Sequence, residues 1–153
     1  MEAPISPHRS ISSSELRRAR GLHGELAERA APAQSGCSAR WLCDAMHERW
    51  QADVTLHREV IYLEACDGDV CVVRHTDATR IERHMAGVGD AGATHAMGLN
   101  AALCRQWMAF DSTGGTLTLH GYVPAPMDPD SRLIALRDFL LTSSAIKREI
   151  TAR

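Results

Sequence analysis

The sequence predicts an α+β domain built on an antiparallel, strongly twisted sheet, with elements in the order α-β-β-β-α-β-β-α. Segments with helical periodicity stand at the beginning, in the middle and at the end of residues 38–153. The segments between them are rich in β-forming residues or alternate between apolar and polar positions. The pairs Asp67-Gly68 and Gly114-Gly115 predict tight hairpin turns, and strands joined in this way pair antiparallel.

An N-terminal extension, residues 1–37, precedes this domain. Ser12-Ser-Ser-Glu15 has the spacing of a capping box, which favours a weak helix over residues 13–30. The segment ends in a stretch of Ala, Pro, Gln, Ser and Gly that is typical of a linker. We therefore expect the extension to be flexible or partly helical.

The first firm helix is predicted at residues 38–52, with Ser38 as its N-cap. Its apolar positions recur at spacings of three to five, which gives one broad apolar face. These positions are Trp41, Leu42, Ala45, Met46 and Trp50. Two tryptophans on one short helix predict that this face is covered by the core or by a partner.

Three strands are expected to follow, of which the first two, 58–65 and 70–76, flank Asp67-Gly68. The third segment, 79–87, is compatible with a strand or a short helix. A middle helix is predicted over 93–107, with Thr94 as a possible cap and Gly98 in its interior.

Residues 116–123 show the clearest strand pattern in the chain. Leu117, Leu119 and Val123 alternate with Thr116, Thr118, His120 and Tyr122. Asp128-Pro129 then combines an N-cap with proline at the first helical position, so a closing helix is expected over about 129–150.

The stretch Asp111-Ser-Thr-Gly-Gly115 resembles a phosphate-binding loop only superficially. Such a loop requires the spacing GxxxxGK[ST] between a strand and a helix. Here no lysine follows the glycines, and the next predicted element is a strand. The stretch is therefore predicted to be a hairpin turn.

No pattern of catalytic or metal-binding residues emerges from the five cysteines and eight histidines. Cys66, Cys71, His75 and His84 lie in neighbouring segments but lack the spacing of a zinc site. Cys104 adjoins apolar helix positions, which favours a small core residue over a nucleophile. We predict no enzymatic activity, no metal and no cofactor.

The net charge of −2 conceals a division along the chain. Residues 1–36 carry five Arg against four Glu, and the remainder is acidic. A mildly acidic domain argues against nucleic acid as the main partner. No apolar run approaches the length of a membrane span, and unpaired thiols without a signal peptide indicate the cytoplasm.

The element order and three segments resemble the class I type III secretion chaperone family. The segment GLNAALC (98–104) resembles that family's Leu-Asn-rich middle helix. FDSTGGTLTLHGYV (110–123) is similar to its acidic-then-glycine hairpin, and LRDFLLTSSAI (136–146) to its closing helix. The resemblance covers about residues 38–150 and looks most like the broad-specificity members. The long extension and the histidine-rich first hairpin depart from the family pattern.

The resemblance implies a cytoplasmic homodimer that holds the N-terminal segment of secreted effector proteins extended and releases it at a secretion ATPase. The implied subunit contact involves the middle helix and the strand that follows it. Its residues are Met97, Gly98, Leu99, Ala102, Leu103, Trp107 and Phe110. The implied effector-binding residues are Trp41, Leu42, Met46, Val60, Tyr62 and Val72.

Every one of these residues is also compatible with an ordinary core position. A small dimeric adaptor or scaffold protein without chaperone activity is the alternative, and a small enzyme is a weaker one. An adaptor would be a well-folded protein that purifies alone without recruiting extended peptides, whereas a chaperone of this family would bind extended segments.

Overall fold

A six-stranded antiparallel sheet forms the frame of the domain, in a computed structural model that describes residues 37–76, 78–125 and 127–152. The predicted helix at 13–30 and the linker lie outside the described residues. The sheet order is β1-β2-β3-β4-β6-β5, and every neighbouring pair is antiparallel. The strands are β1 Val54–His57, β2 Val60–Glu64, β3 Val70–His75, β4 Thr79–Met85, β5 Met108–Thr113 and β6 Thr116–Val123.

Four helices are present in the described part of the chain, together with a short 3₁₀ turn at Cys104–Gln106. The helices are α1 Ala39–Trp50, α2 Asp90–Gly98, α3 Asn100–Leu103 and α4 Pro129–Thr151. Both predicted N-caps are confirmed: the side chain of Ser38 accepts from the Trp41 N–H, and that of Asp128 accepts from the Ser131 N–H. The α+β class is confirmed, and so is the order of one helix before the strands and one after them.

The predicted element order is wrong by one strand. The sequence does not predict β1, because the turn to β2 is Arg58-Glu59 and carries no glycine or asparagine signal. Both residues nevertheless adopt positive φ, 47° and 65°. The segment 79–87, which the sequence leaves open, forms strand β4 over Thr79–Met85.

The predicted middle helix is divided into α2, α3 and the 3₁₀ turn. It begins earlier than expected, at Asp90, and Thr94 lies inside α2, where its Oγ1 donates to the Asp90 carbonyl at 2.9 Å. α2 ends at Gly98, and α3 starts at Asn100, whose side chain is fully buried. The break directs the Asn100 side chain towards β5.

The hairpin predicted at Gly114-Gly115 is confirmed. The two glycines have φ of +63° and +79°, and Thr113 pairs with Thr116 across the turn. Two consecutive residues with positive φ match the right-handed twist of the paired strands, and glycine adopts this conformation without steric cost.

The main core lies on one face of the sheet, against α1, α2, α3 and α4. Leu42, Ala96 and Leu136 represent three of the helices in this core, and Ile61 and Ile81 represent the strands. We call this side of the sheet the inner face and the opposite side the outer face. The described helices thus cover only one of the two faces.

Candidate functional site

The outer face of the sheet carries a continuous row of side chains from β2 to β5. Tyr62 pairs with Val72, Val72 with Glu82, Glu82 with His120, and His120 with Ala109. Residues directly opposite each other in an antiparallel sheet point to the same face. The row therefore crosses five strands and runs from an apolar end at β2 to a charged centre at β4 and β6.

The apolar end includes three of the residues that the sequence suggested for effector binding. Val60, Tyr62 and Val72 lie together on the outer face of β2 and β3. Tyr62 is 41% exposed and neighbouring Val70 is 48% exposed, whereas Val72 is buried. They share this face because alternate positions of paired strands point to the same side of the sheet.

The charged centre is organised around Glu82. Its Oε2 lies 3.1 Å from Arg74 Nη1, and its Oε1 forms a short contact with Arg80 Nη2. Burial raises the pKa of Glu82, but Arg80 and Arg74 outweigh burial and hold it below its usual value. Glu82 is therefore ionised at neutral pH.

His120 lies between two carboxylates in this centre. Its Nδ1 is 3.6 Å from Glu82 Oε1, and its Nε2 is 4.0 Å from Asp111 Oδ2. Burial lowers the pKa of His120 below its usual value and outweighs the attraction of Glu82. The imidazole is therefore neutral at pH 7. The negative charge of Glu82 is balanced by Arg74 and Arg80.

Two of the three α1 residues suggested for effector binding are core residues. Leu42 and Met46 are completely buried against the inner face of the sheet, so they present no surface to another protein. Their expected role in a client groove is corrected, because the apolar face of α1 is used to cover the sheet. Trp41 is only partly buried, and the guanidinium of Arg49 stands 5.6 Å from its ring centroid.

A groove of about 340 Å³ lies between the end of α1, strand β2 and helix α4, and we call it the α1–α4 groove. Trp50, Leu63 and Leu141 give it apolar walls. Arg49 and Arg137 add guanidinium groups to its lining. An apolar recess with a few polar or charged groups is the usual form of a ligand-binding site.

A second groove, also of about 340 Å³, lies between the beginning of β5 and α4, and we call it the β5–α4 groove. Trp107, Tyr122 and Phe139 are among its lining residues. Trp107 is 41% exposed, and its ring lies 5.8 Å from that of Tyr122. Trp107 also has a φ of 59°, which is unusual for a large side chain.

The residues suggested for a subunit contact are divided between surface and core. Leu103 and Phe110 belong to the core of the single chain, at 7% and 0% exposure, so neither is available to a second subunit. Their expected role is corrected, since the break after α2 turns α3 into the core. A charge at Leu103 would therefore test the fold rather than an interface.

Four of the suggested contact residues remain at or near the surface, in addition to Trp107. Met97 and Leu99 are half-buried, and Gly98 and Ala102 are exposed. A Cβ added at Gly98 would meet nothing within 4 Å. The glycine is therefore not required by packing within this chain.

Asn100 closes part of the outer edge of the sheet, a role that the sequence did not predict. Its Oδ1 accepts from the Phe110 N–H at 2.6 Å, and its Nδ2 donates to the Phe110 carbonyl at 3.0 Å. This side chain pairs with β5 as another strand would. The sequence signal for this contact is an asparagine in an otherwise apolar run. The sequence does not show that its partner, Phe110, lies ten residues further along the chain.

The turn between β2 and β3 is fixed by a cluster of charges. Arg83 donates from Nε to Asp69 at 3.0 Å and from Nη2 to Asp67 at 2.7 Å. Lys147 of α4 reaches Asp69 at 2.7 Å and Asp67 at 3.0 Å. Burial raises the pKa of Asp67, but the hydrogen bond from Lys147 and the adjacent positive charges outweigh burial and lower it. These contacts hold Asp67 and Asp69 in the turn.

Within residues 37–76, 78–125 and 127–152, no three His, Cys, Asp or Glu side chains converge in a way that would hold a metal ion. All five cysteines are unpaired thiols. Burial raises the pKa of the Cys71 thiol to about 11, so this sulfur is protonated at neutral pH. None of the described helices is long and apolar enough to cross a membrane.

Comparison of the chain with protein families, with curated proteins and with solved structures finds no match.

Proposed function

We propose that this chain is a type III secretion chaperone that binds the N-terminal segment of effector proteins in the cytoplasm and keeps it extended for secretion. The proposal starts from the resemblance of residues 98–104, 110–123 and 136–146 to the class I family. One structural observation supports it most directly: the free edge of the sheet at β1 lies beside the α1–α4 groove.

The β1 edge offers unpaired main-chain groups. β1 is the outermost strand, and no other strand in the described part of the chain borders its free side. His57 pairs with Val60 across a two-residue turn, so these residues exchange main-chain hydrogen bonds. The alternation of an antiparallel pair then turns the N–H and C=O groups of Val54 and Leu56 outward.

The α1–α4 groove begins next to this edge. Leu63 lines the groove and is the partner of Val54 in the sheet, and Ala52 lines it two residues before β1. An extended segment that pairs with β1 can therefore insert a side chain into the groove beside Trp50 and Leu63. Main-chain pairing supplies affinity for any sequence, and the groove selects apolar side chains.

This arrangement fits a client without a tertiary fold. A disordered segment loses conformational entropy when it binds, so it needs a long contact with apolar anchors. The exposed apolar end of the outer face, with Tyr62 and Val70, provides further surface along the neighbouring strands. The opposite edge is less suitable, because Asn100 already occupies the outward groups of Phe110.

The test measures client binding by a variant that carries a proline in the edge strand β1. In Val54→Pro the outward N–H is lost, and proline is tolerated at the first residue of an edge strand. We expect this variant to bind N-terminal segments of the organism's secreted proteins about tenfold more weakly, which corresponds to one main-chain hydrogen bond. Calorimetric titration with purified segments measures the effect.

Val54→Ala is the matched control, because it shortens the same side chain but keeps the N–H. Equal losses in the two variants would contradict pairing along β1. Failure of the wild-type chain to retain any secreted protein's N-terminal segment would overturn the chaperone proposal. Selective retention of folded domains would instead favour the adaptor alternative.

The proposal includes a homodimer and delivery of the client to a secretion ATPase, as the resemblance implies. A subunit contact at α2 and α3 would use the surface residues of this region. These are Met97, Gly98, Leu99 and Ala102, with Trp107 beside them. These residues form a mixed surface of small and apolar side chains, which is suitable for the close approach of a second helix.

A further inference from the structure

Helix α4 carries the two most exposed large apolar side chains of the described residues. Ile134 is 62% exposed and Leu141 is 61% exposed. They are seven positions apart, so they lie on the same line along the helix. Leu136 and Phe139 occupy the opposite side of α4 and are buried in the core. α4 therefore has a buried apolar side that faces the core and a separate line of apolar side chains that is exposed.

Two opposite charges stand between these apolar side chains. Arg137 and Asp138 are exposed and lie three and four positions after Ile134, on the same side of the helix. Among the described residues, neither takes part in a side-chain hydrogen bond or ion pair, although Arg49 and Asp130 do so nearby. We call Ile134, Arg137, Asp138 and Leu141 the α4 stripe.

The order of the stripe is self-complementary. Its sequence of properties is apolar, basic, acidic, apolar, and it is centred between Arg137 and Asp138. If two copies of α4 cross antiparallel about a twofold axis at this centre, Ile134 of each copy faces Leu141 of the other. Arg137 of each copy then faces Asp138 of the other. A twofold contact requires such a self-complementary surface.

We propose that a second copy of this chain docks on the α4 stripe in an antiparallel, twofold-symmetric contact. The two apolar pairs lie at the ends of the contact and the two ion pairs lie at its centre. The surroundings of the stripe fit a second helix, because the β5–α4 groove adjoins Asp138. This recess accepts side chains that flank the stripe of the incoming copy.

This contact does not depend on the proposed chaperone function. It also uses α4, whereas the resemblance implies a dimer contact at α2 and α3. A chain with both twofold contacts forms a tetramer when the two axes cross at right angles, and a chain with the α4 contact alone forms a dimer. In either case, loss of the α4 contact reduces the mass of the assembly to half.

The test uses charge reversal within the stripe and measures mass by size-exclusion chromatography with light scattering. Arg137→Glu places a second carboxylate against Asp138 in both ion pairs, and Asp138→Arg places two guanidinium groups together. Each single variant is expected to show half the wild-type mass. Because both positions are exposed, circular dichroism and the unfolding midpoint should remain close to the wild type.

Mixing the two variants provides the decisive measurement. In a mixed pair, the Arg137→Glu chain offers two acids and the Asp138→Arg chain offers two bases, so both ion pairs form again. An equimolar mixture should therefore recover the wild-type mass, and so should the double variant Arg137→Glu/Asp138→Arg. Arg40→Glu, an exposed charge reversal on α1, is the matched control and should leave the mass unchanged.

A monomeric wild-type chain would overturn the proposal. Single variants that keep the wild-type mass would overturn it as well, and so would a mixture that stays at half mass. Because the measurement uses the chain alone, its result is separate from any result on client binding.

Discussion

At the scale of single residues, the most informative side chain is Asn100. Its amide group makes one donor and one acceptor contact with the main chain of Phe110, and both residues are completely buried. Asparagine is suited to this position because its side chain carries a donor and an acceptor in the same arrangement as a peptide group. The residue thus joins the break between α2 and α3 to the edge of the sheet.

Asn100→Ala should destabilise the fold by about 2 kcal/mol, since it removes two buried hydrogen bonds to the main chain of Phe110. The free energy of unfolding from urea denaturation measures the change. Gln106→Ala, at an exposed position nearby, is the control and should have little effect. A loss at position 100 no larger than that of the control would show that the two contacts contribute nothing to stability.

At the scale of elements, the hairpin of β1 and β2 is closed by a turn that its residues do not favour. Arg58 and Glu59 both have positive φ, which costs most residues with a Cβ roughly 1–2 kcal/mol. The hairpin of β5 and β6 uses Gly114-Gly115 for the same backbone path. The packing of β1 therefore maintains a strained turn, and this strand is the edge to which we assign client binding.

Replacing Arg58-Glu59 by Asn-Gly should raise the free energy of unfolding by about 1 kcal/mol, because both new residues tolerate positive φ. The double change removes one positive and one negative charge, so the net charge is preserved. Urea denaturation measures the gain. The variant with Ala at both positions keeps both Cβ atoms and should not become more stable; an equal gain in that variant would point to the side chains rather than to backbone strain.

At the scale of the whole molecule, one charge cluster connects three distant parts of the chain. Arg83 of β4 and Lys147 of α4 both contact Asp67 and Asp69 in the turn between β2 and β3. The side chains of Arg83 and Asp69 are each only 1% exposed, so this pairing is largely protected from solvent. The cluster holds the turn between β2 and β3 against α4.

The cluster should make stability depend on pH through Lys147. The pKa of Asp67 in the folded chain lies below 3.8, so its contribution is present above that pH and is lost as pH falls through the folded value. Burial lowers the pKa of Lys147, but hydrogen bonds to Asp69 and Asp67 outweigh burial and hold it above 10.5. The contribution of Lys147 is present below that pH and is lost as pH rises through the folded value.

Lys147→Met should therefore reduce the free energy of unfolding most between pH 3.8 and 10.5, and the difference from wild type should shrink beyond both limits. Urea denaturation across this pH range measures the difference. Arg148→Met, at an exposed neighbouring position, should show a small difference with little dependence on pH. A constant difference for Lys147→Met would mean that its charge is not what stabilises the turn.

The sequence determined the features that depend on neighbouring residues. The caps Ser38 and Asp128, the turn at Gly114-Gly115 and the strand at 116–123 were all predicted correctly, since each depends on local backbone geometry. The α+β class followed from these features, and so did the antiparallel pairing.

The apolar residues that remain available to partners are set by long-range packing and could not be identified from the sequence. Four of the apolar residues suggested for binding fill the core of the single chain instead. These are Leu42, Met46, Leu103 and Phe110. Ile134 and Leu141 lie in an equally apolar helix and are exposed. Burial in the core and burial by a partner both favour the same apolar residues, so the distinction depends on how helices and strands pack over long range, which local sequence does not encode.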